Sequence, residues 1–301
     1  MQPGPRAPRP AIKSPFRAGA CDGSTTMPQN STPVNRIYSH NDPHIRPIRS
    51  LHTRTERERT GLFYIEGMRL LAQAMHYHAD IETLVICPPL MTNPYAEKLA
   101  RKLQGTDTST LEITPDIMHS IAWANDPQGI GAVVRQKWLP LERVKLGGKL
   151  CWLATDAIQS PGNLGTILRT SDAVGAAGII LLGEATDPYD PATVRATMGA
   201  MFSQRLVRTT PEELARWKEP RQWQIVGTSP HASADYQEVR YSDTPTILLV
   251  GNEQKGLSEQ LQAMCDFVVS IPIVSRSDSL NVAVATSIML YEVFNQKRRS
   301  K

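Results

Sequence analysis

The hydrophobic positions of this chain form two successive series in which short apolar runs alternate with amphipathic stretches. In the first series the apolar runs predict strands, and the stretches between them have helical spacing. The predicted strands lie at residues 62–65, 81–87, 111–113 and 130–134, and the predicted helices at residues 67–78, 93–103 and 114–122. Asp42 with Pro43 predicts one more short helix before them. This alternation predicts a small α/β domain of about 100 residues.

The second series begins at residue 150 and has longer, more continuous apolar runs. The predicted strands lie at residues 150–155, 179–182, 205–209, 224–227, 247–250 and 267–273, and the predicted helices at residues 192–198, 258–264 and 279–297 and from Pro211 onward. The segment 156–175 predicts a Pro-Gly turn followed by a helix. Strands that are apolar along nearly their whole length are typical of a parallel sheet covered on both faces.

The boundaries of these two units follow from composition. Residues 1–35 hold seven prolines and lack both helical and alternating periodicity, so we predict a disordered tail. Residues 139–149 combine Pro140, mixed charges and Gly147-Gly148, which is typical of a linker. The predicted organisation is therefore a tail at 1–35, a first domain at 36–138, a linker at 139–149 and a second domain at 150–301.

The composition limits which cellular compartment and which binding partners we expect for this protein. No apolar run approaches the roughly 20 residues that cross a bilayer, so we expect no membrane segment. The four cysteines are far apart and have no metal-ligand spacing, so we expect a cytoplasmic protein without a metal. The net charge of +4 is too small to identify a polyanionic partner. A basic cluster lies near the start of the first domain and would suit RNA phosphates, although a charge run is more often a solvated helix face: Arg46, Arg49, Arg54 and Arg57.

Three polar loops in the second domain each follow a predicted strand. The first leads through Asn163 and Gly165 into the helix that carries Arg169, the second is the glycine-bounded stretch 251–256, and the third runs from Pro272 toward the last helix. In an open α/β sheet, ligands bind at the carboxyl ends of the strands, so these loops are expected to converge on one site. Taken singly, each loop is also explained by helix capping or by a solvated turn.

Together the three loops resemble, in order and spacing, the motifs of a known enzyme family. These motifs are Asn163-Leu164-Gly165 with Arg169, Gly251-Asn252-Glu253 with Gly256, and Ile271-Pro272 followed by Ser279-Leu280-Asn281. They resemble the SpoU (TrmH) family of RNA 2′-O-ribose methyltransferases, of the SPOUT superfamily, over residues 150–301. The first domain is similar to that family's L30e-like substrate-binding domain.

The resemblance implies a fold and a cofactor. It implies an α/β sheet whose C-terminal segment forms a deep trefoil knot, and S-adenosylmethionine bound by the main chain of Gly251, Ile271 and Leu280, with Asn252 and Pro272 beside them. It also implies a homodimer built on the C-terminal helix, where the apolar surface would come from Ile288, Met289, Val293 and Phe294.

The resemblance further implies that Arg169 is the central catalytic residue. A ribose hydroxyl is a poor nucleophile at neutral pH, and a guanidinium group stays protonated there, so electrostatic stabilisation and phosphate positioning suit Arg169 better than base catalysis. Asn163 and Ser279 are expected to bind the ribose or orient Arg169, while Glu253 and Asn281 are expected to fix their loops.

The preferred interpretation is a methyltransferase acting on the ribose 2′-hydroxyl of large-subunit rRNA. Methylation of tRNA ribose is the alternative within the same class. A catalytically silent RNA-binding or ribosome-assembly protein is the alternative from another class, and it would have no need of the complete set of five catalytic candidates.

Overall fold

The computed structural model describes residues 34–145, 150–183, 185–218, 223–241, 244–274 and 278–300. The predicted tail lies outside these residues, apart from Val34 and Asn35, which begin the first strand. The first part of the described chain holds five strands and five helices. The strands are β1 (Val34–Ile37), β2 (Leu62–Glu66), β3 (Ile81–Ile86), β4 (Ser109–Ile113) and β5 (Ile130–Arg135). The helices are α1 (Ile45–Ser50), α2 (Arg54–Thr60), α3 (Met68–His76), α4 (Pro94–Gln104) and α5 (Pro115–Ile121).

These five strands form one mixed sheet in the order β1-β4-β3-β5-β2. The strand β5 runs antiparallel to both β2 and β3, while β1, β4 and β3 are parallel. Helices α1 and α5 pack on one face of the sheet with Val85 and Val133, and helices α3 and α4 pack on the other with Leu84 and Ala132. The alternation of these strand residues between the two faces is the two-residue period of a strand.

The second part of the described chain holds seven strands and five helices. The strands are β6 (Trp152–Asp156), β7 (Gly178–Leu182), β8 (Leu206–Thr209), β9 (Gln224–Thr228), β10 (Ala234–Asp235), β11 (Thr246–Val250) and β12 (Phe267–Ser270). The helices are α6 (Pro161–Val174), α7 (Pro191–Ala196), α8 (Pro211–Lys218), α9 (Glu259–Ala263) and α10 (Val282–Arg299). Helices α6, α7 and α8 all begin with proline, whose fixed φ and missing N–H suit the first helical position.

All neighbouring strands of this sheet are parallel, in the order β10-β12-β9-β11-β6-β7-β8. The predicted parallel α/β sheet is thereby confirmed. The strands β6 and β11 are neighbours, with Asp156 and Val250 at their carboxyl ends. The loops that follow these two strands therefore start side by side at one edge of the sheet.

The two sheets share a continuous hydrophobic core. Phe63 of β2 packs on Tyr189, with ring centroids 4.8 Å apart, and Tyr189 also contacts the Trp138 ring at 5.3 Å. Beyond the rings, the Tyr189 hydroxyl donates to the Lys137 carbonyl and accepts from the Lys137 N–H, both at 2.9 Å. In the predicted linker, Leu139 donates its N–H to the Leu206 carbonyl, so this segment packs on the second sheet.

Three local predictions need correction. The edge strands β1 and β10 were not predicted, because three of the four residues of β1 are exposed and β10 has only two residues. The last helix begins at Val282 rather than Ser279, because the Asn281 side chain caps it by accepting from the N–H groups of Ala283 and Val284. Met289 and Val293, predicted to supply surface for a partner, are fully buried in the chain's own core.

Candidate active site

The first motif lies at the start of α6. The Ser160 side chain caps this helix by accepting from the Asn163 N–H, and Pro161 occupies the first helical position. Asn163 is therefore inside the first turn, and its side chain is half-buried against the neighbouring loop. Arg169 follows nearly two turns later on the same helix, with its side chain exposed. The cap thus fixes where Asn163 and Arg169 lie relative to the end of β6.

Gly165 serves helix packing. A Cβ atom added there would overlap the Ala196 side chain and lie 2.9 Å from the Thr193 carbonyl oxygen, both on α7. The close approach of α6 to α7 requires a residue without a side chain at this position. The glycine of the first motif therefore sets the position of the helix that carries Arg169.

The second motif closes a tight loop after β11. Asn252 and Gly256 exchange two main-chain hydrogen bonds of 2.9 and 3.0 Å. A Cβ atom on Gly251 would overlap the main chain of Gly256 and Leu257, so only glycine fits there. The Asn252 side chain donates to the Ala157 carbonyl at 2.9 Å and so ties this loop to the one after β6.

Glu253 of the second motif is hydrogen-bonded to the loop and helix of the first motif. Its carboxylate accepts from the N–H groups of Gln159 (3.0 Å) and Ser160 (3.2 Å) and from the Asn163 side-chain amide (3.1 Å). Partial burial disfavours the charged form, but these hydrogen bonds outweigh it, and the pKa of Glu253 lies below its ordinary value. The carboxylate is therefore ionised at neutral pH and anchors the start of α6 to the second loop.

Asn163 extends this connection to the third motif. Its side-chain oxygen accepts from the Asn281 amide at 3.1 Å, while the Asn281 oxygen caps α10. The contacts from Glu253 through Asn163 to Asn281 thus join all three loops in one hydrogen-bonded chain. A second contact between the same helices links Thr170 of α6 to Ser287 of α10 at 3.1 Å.

The predicted cofactor residues lie at the same edge of the sheet. Ile271 and Pro272 directly follow β12, and Leu280 directly precedes the cap of α10. Among the described residues, none hydrogen-bonds to the main chain of Ile271 or Leu280. Ser279 is exposed in the same loop.

A cleft of about 640 Å³ opens between the first two loops. Its lining includes Asp156, Asn252, Glu253 and Lys255, but not Ile271, Pro272 or Leu280. Burial raises the pKa of Asp156 above its ordinary value, although a main-chain hydrogen bond from Ser258 opposes this. The cleft therefore has two carboxyl groups with opposite pKa shifts, Asp156 and Glu253.

The basic cluster of the first domain divides into exposed and buried arginines. Arg46 is exposed, Arg49 donates to the Ser120 hydroxyl at 2.8 Å, and Arg54 pairs with Glu58 at 2.9 Å. Arg57 is only 2% exposed and binds the Asp187 carboxylate at 2.7 Å. The prediction that Arg57 contacts RNA is therefore wrong in this structure, because its guanidinium group is enclosed between α2 and the segment that precedes α7.

The spacing of residue types in the sequence could not predict two main-chain groups of the site, the N–H groups that bind Glu253. The N–H groups of Gln159 and Ser160 hold Glu253 through main-chain atoms, which any residue type supplies.

Within the described ranges, no group of three or more His, Cys, Asp and Glu side chains is placed to hold a metal ion. None of the described helices combines the length and apolar character needed to cross a membrane.

The chain is similar to two protein-family models, to methyltransferases of known sequence and to solved structures. The model of the SpoU rRNA Methylase family matches residues 151–291, and the model of the MRM3-like substrate binding domain matches residues 42–132. Over 254 residues, the chain is 34% identical to the 23S rRNA (uridine(2479)-2'-O)-methyltransferase of Streptomyces viridochromogenes, with 82% of this chain and 87% of that protein covered. Over 260 residues, it is 28% identical to the 23S rRNA (guanosine(2553)-2'-O)-methyltransferase RlmP of Bacillus subtilis (strain 168), covering 86% and 99% of the two chains. The crystal structure of an AdoMet-bound rRNA methyltransferase from Sinorhizobium meliloti has a TM-score of 0.80 and 37% identity, covering 87% of this chain and 98% of that one.

Proposed function

This chain belongs to the SpoU rRNA methylase family, and we propose that it transfers a methyl group from S-adenosylmethionine to a ribose 2′-hydroxyl of ribosomal RNA. Both methyltransferases compared above are named for 23S rRNA, which supports large-subunit rRNA as the substrate. The family membership predicted from the three motifs is confirmed.

The observation that carries this proposal is the hydrogen-bonded chain from Glu253 through Asn163 to Asn281. It holds the three loops together at the carboxyl ends of β6, β11 and β12, which is where an open parallel sheet binds its ligands. A protein that only bound RNA through its first domain would have no need of this arrangement.

S-adenosylmethionine, when bound, supplies a methyl group on a positively charged sulfur. The chemistry of the loops fits such a group, because Ile271 and Leu280 combine partly exposed apolar side chains with main-chain donors and acceptors that no other described residue engages. An adenosyl group needs both, an apolar surface for its ring and hydrogen-bonding partners for its edge. We therefore assign its binding to Gly251, Asn252, Ile271, Pro272 and Leu280.

Arg169 is the proposed catalytic residue. Its exposed guanidinium group is a fixed positive charge that would stabilise negative charge developing on the ribose oxygen and hold the adjacent phosphate. Asn163 and Asn281 would position the first and third loops, Glu253 would hold Asn163 in place, and Ser279 would bind the ribose. In this assignment Glu253 is a positioning residue, since its oxygens are already used by Gln159, Ser160 and Asn163.

The test is methyl transfer from tritiated S-adenosylmethionine to rRNA by the wild-type protein, Arg169→Ala and Arg195→Ala. Arg195 is a matched control, because it is an exposed arginine on α7, the neighbour of α6. We expect Arg169→Ala to lower kcat about 100- to 1000-fold, as removal of a transition-state donor does, with cofactor affinity measured by calorimetry unchanged.

Equal activity of Arg169→Ala and wild type would refute the catalytic assignment. Transfer of label to tRNA rather than rRNA would refute the substrate. A wild-type protein that neither binds S-adenosylmethionine nor labels any RNA would favour the silent RNA-binding protein.

The remaining family features are proposals of the same kind. We propose a C-terminal trefoil knot, the domain limits 36–138 and 150–301, a cytoplasmic location and a homodimer formed on α10. Support for the dimer comes from the exposed side chains of Val284 and Tyr291 on α10, with Ile288 and Phe294 partly buried beside them. Catalysis by these residues requires no metal ion.

A further inference from the structure

An exposed tryptophan lies in the first domain, in the loop that follows α5. Trp123 retains 43% of its surface in contact with solvent. A single exposed aromatic residue is common on protein surfaces and indicates nothing by itself. The surroundings of Trp123 are what distinguish it, because several independent contacts hold the loop in place.

Glu66 fixes the main chain at this position. One of its carboxylate oxygens accepts from the N–H groups of Trp123 (2.8 Å) and Ala124 (3.3 Å). The other oxygen is buried, and within the described residues it has no hydrogen-bond partner. Two hydrogen bonds from adjacent N–H groups to one carboxylate oxygen fix the conformation of the loop.

His52 supports the indole ring. The two ring centroids lie 4.5 Å apart with an interplanar angle of 44°, and the His52 Nε2 atom lies 3.0 Å from the Ile121 carbonyl oxygen. The ring is thus held in one orientation while nearly half of its surface stays open to solvent. A rigid aromatic surface of this kind binds a planar ligand with little further loss of side-chain entropy.

Helix α1 carries two arginines, and one of them contacts the helix that leads to Trp123. Arg49 of α1 donates to the Ser120 hydroxyl at 2.8 Å, three residues before Trp123. Arg46 lies one turn earlier on α1 and is exposed. Cations next to an open aromatic ring are the combination that binds single-stranded nucleic acid, because the ring stacks on a base and the cations contact the backbone.

We propose that Trp123 stacks on an unpaired base of the rRNA substrate while Arg46 and Arg49 contact the adjacent phosphates. This inference rests on the proposed function and specifies how the same substrate is held by the first domain. An unpaired base is required, since the bases of a duplex are already stacked and offer no free face to a side chain.

The test compares Trp123→Ala, Trp123→Phe and Tyr95→Ala with wild type. Tyr95 is a matched control, since it is 49% exposed but belongs to α4, which packs on the opposite face of the first sheet. The probes are a single-stranded RNA of roughly 12 nucleotides and a blunt duplex of the same length. Dissociation constants are measured by fluorescence anisotropy, and methyl transfer to rRNA is measured in parallel.

We expect Trp123→Ala to weaken single-strand binding about 5- to 150-fold, which corresponds to the stacking of one base. Trp123→Phe should recover most of the affinity, while Tyr95→Ala and all duplex affinities should stay at the wild-type value. In methyl transfer, Trp123→Ala should raise KM for rRNA with kcat and cofactor affinity retained.

Unchanged single-strand binding by Trp123→Ala, or equal losses for single strand and duplex, would overturn the stacking proposal. These outcomes are separate from failure of the proposed function, which would appear as absence of methyl transfer by the wild-type protein.

Discussion

Replacing Arg57 by methionine separates a structural role for this arginine from the RNA-binding role that the sequence predicted. The Arg57 guanidinium group donates to Asp187 (2.7 Å), to Asp190 (3.3 Å) and to the carbonyl oxygens of Leu51 (2.8 Å) and His52 (3.0 Å). It therefore connects α2 of the first domain to the segment that precedes α7 in the second.

The expected cost follows from what the substitution leaves behind. Asp187 is 5% exposed, and without Arg57 the one described partner left to its buried charge would be the Tyr189 N–H. Breaking a buried ion pair by removing one partner costs about 3–5 kcal/mol of the free energy of unfolding. At about 2–4 °C per kcal/mol for a chain of this size, we expect the Tm of Arg57→Met to fall by about 6–20 °C.

The assay is thermal and urea unfolding of Arg57→Met, Arg54→Met and the double variant Arg57→Met/Asp187→Asn. Arg54 is the matched control, because it belongs to the same helix but pairs with Glu58 at the surface. Its replacement should cost at most about 1 kcal/mol. The double variant should recover part of the loss, because it no longer leaves an unpaired buried charge.

The reasoning would be refuted by a Tm of Arg57→Met equal to that of wild type together with a reduced salt dependence of RNA binding. That result would mean that Arg57 reaches phosphates in solution, since each lost phosphate contact lowers the salt slope. Destabilisation with an unchanged salt slope supports the buried pair.

Three further predictions concern the proposed active site. Gly251→Ala should abolish cofactor binding measured by calorimetry, because its methyl group would overlap the main chain of Gly256 and Leu257. Gly162→Ala is the control and should bind the cofactor normally, because the nearest atom to its methyl group would be 3.7 Å away. Normal cofactor binding by both variants would contradict this prediction. The pKa of Glu253 is lowered in the fold, so its contribution to stability is present above the ordinary pKa of 4.5 and is lost as pH falls through the lowered pKa. The Tm of Glu253→Gln should therefore fall less on acidification than the Tm of wild type. Equal losses of Tm would count against the Glu253 contacts. The pKa of Asp156 is raised, so its contribution to stability is present below the ordinary pKa of 3.8 and is lost as pH rises through the raised pKa. Asp156→Asn should therefore have a higher Tm than wild type at pH 7 and the same Tm as wild type at about pH 3. A lower Tm of Asp156→Asn at pH 7 would contradict the burial argument.

The sequence by itself determined the two α/β series and most element positions. Near-continuous apolar runs predict buried parallel strands, and proline before an amphipathic stretch predicts the start of a helix, as at Pro94, Pro115 and Pro211. These are local properties of the chain, so they can be read without knowing what each segment contacts. The family motifs are equally local, and they correctly predicted membership of the SpoU family.

Only the tertiary structure decided the contacts between distant positions. Asn281 meets Asn163 across 118 positions, and Arg57 meets Asp187 across 130, so neither partner was apparent from spacing. The charge pattern of α2 predicts a solvated or RNA-binding face, but packing of α2 against the segment before α7 encloses Arg57. In the same way, Met289 and Val293 are buried because α10 packs on α6 and β11, a choice of partner that an apolar periodicity does not specify. The sequence thus determined which residues could form the site, and the packing of the two sheets determined which of them bind one another.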